Sequence, residues 1–238
     1  MATAPSKCLL VTGPPVKPPP LSLSLFSLSL SLYFETLVLE RVSDQWSVVL
    51  GLGFVAQGVG KTTLVMRVFE TLRASHPHLT ICGFYTREVR EGSERVGFEV
   101  VTLDGRRGPL ASSKISSAES LRWPTVGKYK VDVASLESLA LPELQVKEGT
   151  DLFIIDEVGK MELFSSSFFP AVLKVLESGT PVLASIPIPR FGRDIPGKKT
   201  IARLRNHPGA TVFTLNAGNR DTIRESIYNQ LVDMLRKH

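Results

Sequence analysis

The stretch Gly58-Val59-Gly60-Lys61-Thr62-Thr63 stands directly before residues 64–75, whose apolar spacing predicts a helix. Gly-Lys-Thr at the start of a helix is the second half of a phosphate-binding P-loop. Backbone N–H groups and the lysine hold phosphate oxygens there, and the threonine hydroxyl binds Mg²⁺. The complete pattern needs a glycine five residues before Gly60, but that position is Val55. The sequence around Gly58 therefore contains only half of the motif.

The other half lies upstream, where residues 7–12 form a short, mostly apolar run typical of a buried strand, followed by Gly-Pro-Pro. Joining Pro15 to Gly58 gives Gly-Pro-Pro-Gly-Val-Gly-Lys-Thr-Thr, a complete P-loop after a strand. We therefore predict a nucleotide-binding set that is split along the chain. Its members are Gly13, Pro14, Pro15, Gly58, Val59, Gly60, Lys61, Thr62 and Thr63.

The 42 residues from 16 to 57 differ in composition from the rest of the chain. They begin with a proline cluster and continue as alternating Leu and Ser over residues 21–32, broken only by Phe26. Such alternation is what a translated CT repeat encodes; the codon of Val16 begins with GT, and a CAG codon for Gln57 ends in AG. We hypothesise that the segment is a translated intron retained in frame. Transcripts that skip it would support this hypothesis, and uninterrupted reads in most transcripts would contradict it.

Composition is that of an ordinary globular protein, with 43% hydrophobic residues, 21% charged residues and a net charge of +5. The positive charge favours an anionic ligand, but there is no dense Lys/Arg stripe, so we expect no nucleic-acid partner. Cys8 and Cys82 fall within predicted strands, which favours structural thiols in a reducing compartment. Residues 21–34 are serine-rich and too short to span a bilayer, and a signal peptide fits the chain start poorly. We expect a cytoplasmic protein without membrane contact.

Apolar runs that alternate with amphipathic segments predict an α/β fold. The predicted strands are 7–12, 79–86, 128–133, 151–156, 181–186 and 210–214, the helices are 64–75, 134–144, 164–177, 198–206 and 219–237, and a β-hairpin covers 88–102. Residues 104–109 are predicted as a turn and 111–123 as a loop, and Pro170 is expected to kink or restart its helix. This pattern favours a mostly parallel central sheet with helices on both faces. We predict one domain over residues 1–238, interrupted by 16–57.

The apolar residues 153–155 are followed by two adjacent acids, an arrangement typical of a Walker B strand. Asp156 is predicted to hold Mg²⁺, the expected cofactor, together with Thr62. Glu157 is predicted to orient and deprotonate the attacking water, and Lys61 to bind the β/γ oxygens, so both are catalytic candidates. A nucleotide kinase transfers phosphate to a bound acceptor and usually needs no such glutamate. Glu157 therefore favours hydrolysis over the kinase alternative.

Several blocks of the sequence carry a wider resemblance. They are the two P-loop halves, Gly83-Phe84-Tyr85-Thr86, Glu88-Val89-Arg90, residues 97–103, Arg107-Gly108-Pro109-Leu110, residues 155–164 and Ile186-Pro187-Ile188-Pro189. Together they resemble the small nucleoside-triphosphatase family that includes the cancer-related nucleoside-triphosphatase of animals and thermophilic bacterial relatives. The resemblance omits only residues 16–57, and Asp-Glu-Val-Gly-Lys-Met-Glu at 156–162 is its most specific part. It implies a RecA-like P-loop fold and Mg²⁺-dependent hydrolysis of ATP, GTP and other nucleoside triphosphates, with loose base selectivity.

Other polar residues are weaker candidates. Ser185, at the end of a predicted strand, is either a γ-phosphate sensor or an ordinary strand-end hydroxyl, and Lys160 either reaches phosphate or pairs with Glu162. Arginines that would neutralise transition-state charge, or simply face solvent, are Arg87, Arg90, Arg106 and Arg107. Residues that follow the last strand, where a base would sit in such folds, are Asn216, Asn219 and Arg220. The histidines show no metal-binding spacing.

The separation of the two P-loop halves changes the expected activity. A P-loop works because consecutive N–H groups converge on one phosphate, and the intervening segment removes that continuity. Losing two charge-assisted hydrogen bonds would weaken phosphate binding by about 10²–10⁴-fold. We therefore expect this chain to hydrolyse ATP poorly and a form without residues 16–57 to be active. The alternatives are a nucleotide-binding module without turnover, and a geometry in which residues 47–54 replace the first strand.

Overall fold

The computed structural model describes residues 7–13, 36–42, 45–51, 60–187, 198–216 and 218–236. The chain forms two compact units, one of Met1–Pro14 with Val59–His238 and the other of Pro15–Gly58. β1 (Cys8–Thr12) belongs to the larger unit, whereas β2 (Thr36–Val42) and β3 (Gln45–Gly51) form an antiparallel pair in the smaller one. The alternative in which residues 47–54 supply the first strand is wrong, because β1 takes that place in the sheet.

The larger unit continues as an α/β chain. Its further elements are α1 (Lys61–Ser75), β4 (Ile81–Glu91), β5 (Glu94–Thr102), β6 (Arg107–Ser112), β7 (Thr125–Val126), β8 (Tyr129–Val131), α2 (Val133–Glu143), β9 (Leu152–Asp156), α3 (Phe168–Glu177), β10 (Val182–Ser185), α4 (Lys198–Arg205), β11 (Ala210–Thr214) and α5 (Arg220–Leu235). None of the helices in the described ranges is both long and apolar enough to cross a membrane.

Among the described strands, nine form one sheet in the order β11-β1-β10-β9-β4-β5-β6-β8-β7. The first five run parallel, and the sheet continues through β4 into an antiparallel half. The α/β prediction is confirmed. The structure adds that the predicted hairpin is continuous with the central sheet, because β4 is long enough to pair with β9 on one side and β5 on the other.

The alternation of side chains along β1 builds a core on each face of the sheet. Leu9 and Val11 point to the face that α1 and α5 cover, whereas Cys8 and Leu10 point to the face covered by α2, α3 and α4. Consecutive strand residues point to opposite faces, so an apolar strand that is buried on both sides reads as a continuous apolar run. Both faces of the parallel half are therefore closed by helices, and its carboxyl edge remains for ligands.

Two local predictions differ from the structure. Residues 107–112 form β6, not a turn and a loop, because pairing with β5 buries Leu110 and Ala111. The predicted helix 164–177 begins at Phe168, and Pro170 lies in its first turn, where the missing N–H removes no intrahelical hydrogen bond. Of the two predicted effects of Pro170, the kink is therefore wrong. Of the two, the strand depends on a neighbour in space that local sequence does not specify, whereas the place of Pro170 follows from where the helix begins.

Candidate active site

The candidate site lies at the carboxyl edge of the parallel strands. β1, β10, β9 and β11 all point toward this edge, and α1 and α5 begin there. In open α/β sheets, ligands bind outside the carboxyl ends of the strands. Thr12, Asp156 and Ser185 are the last residues of their strands, and all three are buried.

The start of α1 has the backbone geometry that anion binding requires. Gly60 has a φ of +79°, a left-handed conformation that glycine adopts without steric cost. No side chain caps the helix and no acid lies in its first turn, so the first N–H groups point toward the edge of the sheet. α1 packs through Leu64 and Val68 into the same core as Leu9 and Val11 of β1. Strand and helix therefore pack together although residues 13–60 separate them in sequence.

Lys61 and Glu157 meet in this cleft. The Lys61 Nζ lies 2.9 Å from Glu157 Oε2 and donates a hydrogen bond to the Ile186 carbonyl oxygen at 3.3 Å. The structure therefore brings together a cation at the start of α1 and a carboxylate just after β9, as the sequence predicted. The Glu157 side chain is 30% exposed, which leaves its carboxylate accessible to a water molecule.

Asp156 is the most buried charged group of the site, with 0% exposure. Ser185 donates a short hydrogen bond to Oδ1, and the nearby Thr62 hydroxyl also favours the ionised form of this carboxylate. Burial, with a smaller contribution from Glu157, raises the pKa of Asp156 to about 6, although Ser185, Thr62 and Lys61 oppose the rise. Within the described residues, Oδ2 has no hydrogen-bond partner. A buried carboxylate oxygen without a partner costs stability unless a ligand satisfies it.

The residues present fit a magnesium ion. Thr62 and Asp156 offer hard oxygen atoms near one another, and Asp156 Oδ2 has no hydrogen-bond partner among the described residues. No group of three or more His, Cys, Asp or Glu suited to a metal occurs among the described residues. Magnesium needs no such cage, because it binds through one or two protein oxygens together with substrate phosphates and waters. The donor set thus suits a cation that arrives with a phosphate substrate.

Glu162 is a buried carboxyl that the sequence did not single out for a role of its own. It is 3% exposed and accepts a hydrogen bond from the Gly159 N–H at 3.0 Å. Burial is the main cause that raises its pKa to about 8, and Glu157 adds to the effect. Lys160 is exposed, and no ion pair joins it to Glu162. Of its two predicted roles, the pairing with Glu162 is therefore wrong, and the contact with phosphate stays a prediction. The sequence signal that could have pointed to Glu162 is its place in the specific block at residues 156–162.

The predicted arginines and the loop after β11 have largely structural contacts. Arginines of the antiparallel half pair with carboxylates as Arg87–Glu99, Arg90–Glu88, Arg106–Asp104 and Arg106–Glu143, while Arg107 opens β6.

Asn219 accepts a hydrogen bond from the Asn216 N–H at 2.8 Å and donates one to the Thr214 carbonyl at 3.0 Å. These bonds shape the loop that leads to Arg220, whose guanidinium lies against Gly60.

The remaining P-loop residues divide into two groups. Gly13 is buried directly after β1, and Thr63 is exposed in the first turn of α1. Pro14, Pro15, Gly58 and Val59 lie outside the described residues. The described part of the loop therefore comprises its two ends, each attached to the element that the sequence predicted.

Beside β1 lies a helix that begins with lysine and threonine, and two adjacent acids stand at the end of a neighbouring parallel strand. This arrangement defines a P-loop nucleotide-binding protein. The chain belongs to the NTPase family, whose model matches residues 55–228. It is 41% identical over 176 residues to the human cancer-related nucleoside-triphosphatase, covering 71% of this chain and 90% of that protein. It is 40% identical over 184 residues to the nucleoside-triphosphatase THEP1 of Aquifex aeolicus, covering 73% and 94% of the two chains.

Solved structures agree with this assignment. The crystal structure of THEP1 from Aquifex aeolicus matches with a TM-score of 0.63 and 29% identity, covering 94% of this chain and 98% of that one. The solution structure of a human cancer-related nucleoside triphosphatase matches with a TM-score of 0.62 and 33% identity, covering 94% and 96%. The α/β architecture is thus that of the family.

Proposed function

We propose that this chain hydrolyses nucleoside 5′-triphosphates, ATP and GTP among them, to diphosphate and phosphate, with Mg²⁺ as cofactor and loose base selectivity. The observation that carries the proposal is the Lys61–Glu157 pair at the start of α1, beside the buried and incompletely bonded Asp156. The names of the family and of the matched relatives support the same reaction class.

The roles follow from charge and exposure. The Lys61 ammonium and the first N–H groups of α1 would bind the β- and γ-phosphates. Thr62 and Asp156 would hold Mg²⁺, which neutralises charge that develops on the phosphate oxygens. Glu157, the more exposed of the two adjacent acids, would accept the proton of the attacking water, while Ser185 keeps Asp156 oriented. A role of Ser185 as a γ-phosphate sensor stays a prediction.

Replacing the proposed base tests the reaction directly. We expect Glu157→Gln to lower phosphate release from Mg-ATP by about 10²–10⁴-fold, since general-base catalysis contributes about that much. Binding of a non-hydrolysable ATP analogue should persist. Glu99→Gln is the matched control, because Glu99 pairs with Arg87 on the antiparallel half of the sheet. If the wild-type chain hydrolyses ATP and Glu157→Gln releases phosphate at the same rate, the assignment of Glu157 as the base is wrong.

The second candidate is a nucleotide-binding module without turnover. It is favoured by the separation of Gly13 from Gly60 in sequence, with Pro15–Gly58 forming a compact unit of its own. Tight binding of the ATP analogue without phosphate release by the wild-type chain would favour this candidate. A nucleotide kinase is the third, and assays that offer acceptor nucleotides would reveal it as formation of a new diphosphate or triphosphate.

We also propose a reducing compartment such as the cytoplasm. Neither Cys8 nor Cys82 forms a disulfide. Cys8 is buried in β1, and burial raises its pKa to about 12, so it is a structural thiol of the sheet. This use of cysteine is ordinary for proteins that are kept reduced.

A further inference from the structure

The side chains of Glu157 and Glu162 converge on Gly159. A Cβ built on this glycine would be 2.5 Å from Glu157 Oε1, 2.9 Å from Glu157 Cγ and 2.9 Å from Glu162 Oε2. A real Cβ does not come so close to other heavy atoms, so the two acids already occupy the space that a side chain at residue 159 would need. Glycine at this position therefore lets both acids lie against the same stretch of backbone.

Glu162 holds this stretch of backbone from the interior of the protein. Its Oε2 accepts a hydrogen bond from the Gly159 N–H at 3.0 Å, and both residues are buried. The preceding N–H, that of Val158, donates to the Ser185 carbonyl oxygen at 2.8 Å and so ties the segment to β10. The backbone that follows Glu157 is therefore anchored twice, once by the sheet and once by the Glu162 carboxyl.

The position of the Glu157 carboxylate depends on the second anchor. Its Oε2 lies 2.9 Å from Lys61 Nζ, whereas its Oε1 lies beside Gly159. If the Gly159 backbone moved, the surface against which the Glu157 side chain rests would move with it. Glu162 is only 3% exposed, so its own carboxyl is closed off from water in the cleft. An effect of Glu162 on the reaction must therefore pass through Glu157.

The protonation state of Glu162 suits such a supporting role. Burial raises its pKa to about 8, the negative charge of Glu157 adds to the rise, and the bond from the Gly159 N–H opposes it. At neutral pH, Glu162 is therefore an uncharged acid that does not compete with Glu157 for the Lys61 ammonium. A protonated carboxyl still has an oxygen that accepts the Gly159 N–H, and the amide of glutamine offers the same acceptor.

We propose that Glu162 is a positioning residue for hydrolysis, because its carboxyl holds the Gly159 backbone where Glu157 can reach the attacking water. This inference rests on the proposed function, in which Glu157 is the base. Catalytic side chains need a second layer of hydrogen bonds that fixes them in the productive geometry. A misplacement of about 1 Å can lower a rate by about 10²-fold.

The first test compares removal of the Glu162 carboxyl with its replacement by an amide. In the full chain, we expect Glu162→Ala to lower kcat for Mg-ATP by about 10²-fold, with KM and the affinity for a non-hydrolysable analogue unchanged. Glu162→Gln should retain kcat, because its amide oxygen still accepts the Gly159 N–H. Wild-type kcat in Glu162→Ala, or an equal loss in Glu162→Gln, would overturn the proposal.

The matched control is Glu137→Ala. Glu137 accepts a hydrogen bond from the Ser165 hydroxyl at 2.6 Å, only three residues beyond Glu162, so this variant also removes a carboxylate that supports the same loop. It should match the wild type in kcat. A loss equal to that of Glu162→Ala would mean that any weakening of the loop lowers the rate, and the specific role of Glu162 would be refuted.

A double variant separates positioning from a general effect on the fold. If Glu162 acts through Glu157, Glu162→Ala should lower kcat no further in a chain that already carries Glu157→Gln. A further loss of about 10²-fold in the double variant would mean that Glu162 acts independently of Glu157 and would exclude the proposal. Thermal unfolding midpoints show that each variant is folded at the assay temperature.

Crystal structures of the wild type, Glu162→Ala and Glu162→Gln give a readout that does not need turnover. We expect the Glu157 carboxylate to shift by about 1 Å or more in Glu162→Ala and to stay in place in Glu162→Gln. If the wild type releases no phosphate, the proposed function fails, and these structures still decide whether Glu162 positions Glu157. An unmoved Glu157 in Glu162→Ala overturns the inference.

Discussion

At the scale of single residues, the site is a cluster of carboxyl groups in different surroundings. Asp156 and Glu162 are both buried, and burial raises the pKa of each, to about 6 and about 8. Glu157, between them in sequence, is partly exposed and paired with Lys61. Carboxyl groups in such different surroundings are suited to different chemical roles. Here the exposed acid is suited to proton transfer, and the buried acids are suited to holding positions.

Glu162 makes the stability of the folded chain depend on pH. Its pKa of about 8 lies above the 4.5 of an ordinary glutamate, so between these values the folded state keeps a proton that the unfolded state has lost. The stabilisation is complete below pH 4.5 and disappears as the pH rises through 8. The ionisation of Glu162 should make the free energy of unfolding of the wild type decrease with pH over this range. We expect this slope to be about 1 kcal/mol per pH unit shallower in Glu162→Gln. Urea unfolding at several pH values measures this slope.

The same substitution at the exposed Glu148 serves as the control for the slope. Asp156 also titrates inside the window, so the wild-type slope contains its contribution as well. Parallel slopes for the wild type and Glu162→Gln would mean that Glu162 is ionised in the folded protein at neutral pH.

At the scale of elements, β1 and α1 pack together although a 42-residue segment is inserted between the two P-loop halves. Leu9 and Val11 pack in the same core as Leu64 and Val68, and this packing does not require a short connection. The free-energy cost of closing a loop rises only slowly with the length of the loop. The directions of the loop N–H groups do require covalent continuity. Packing of the elements and function of the loop therefore depend on different features of the chain.

We therefore expect deletion of residues 16–57 to raise the affinity for Mg-ATP by about 10²–10⁴-fold, since two charge-assisted hydrogen bonds to phosphate would be restored. Phosphate release should rise with it. Calorimetric titration and a phosphate-release assay on both purified forms measure the two effects. Equal turnover by the two forms would refute the expectation, and equal binding without turnover in either would favour the binding module.

At the scale of the whole molecule, the parallel and antiparallel halves of the sheet differ in their use of charge. Carboxylates of the antiparallel half form ion pairs with arginine or lysine at its surface, whereas Asp156 in the parallel half is buried with an unpartnered oxygen. Surface pairs contribute little to stability, and an unsatisfied buried carboxylate lowers it. Ligand binding that satisfies Asp156 should therefore be visible in the stability of the entire chain.

We expect Mg²⁺ with a non-hydrolysable ATP analogue, at about 100 times its dissociation constant, to add about 2.7 kcal/mol to the unfolding free energy. In a chain of this size, that corresponds to a rise of about 5–10 °C in the unfolding midpoint. Calorimetric scans with and without the ligand measure it. EDTA should abolish the rise if magnesium is the cofactor, and a rise that persists in EDTA would contradict the role of Asp156 and Thr62.

The sequence by itself determined most strands and helices of the parallel half and the polar residues that stand at their ends. Continuous apolar runs such as 151–156 and the helical spacing after Lys61 are local patterns, and they placed the start of β9 one residue early and the start of α1 three residues late. β6 escaped prediction because Leu110 and Ala111 are buried only through pairing with β5. Within its own sequence, the turn signal of Gly108 and Pro109 outweighs any strand signal.

Only the tertiary structure decided which charged groups are buried and which cations meet the P-loop. The Lys61 hydrogen bond to Ile186 spans 125 residues of sequence, and the contact of Arg220 with Gly60 depends on β11 lying beside β1. Desolvation of Glu162 likewise requires the surrounding packing to be complete. Motifs are local because backbone geometry is local, whereas burial and charge pairing arise from the folded arrangement of distant segments.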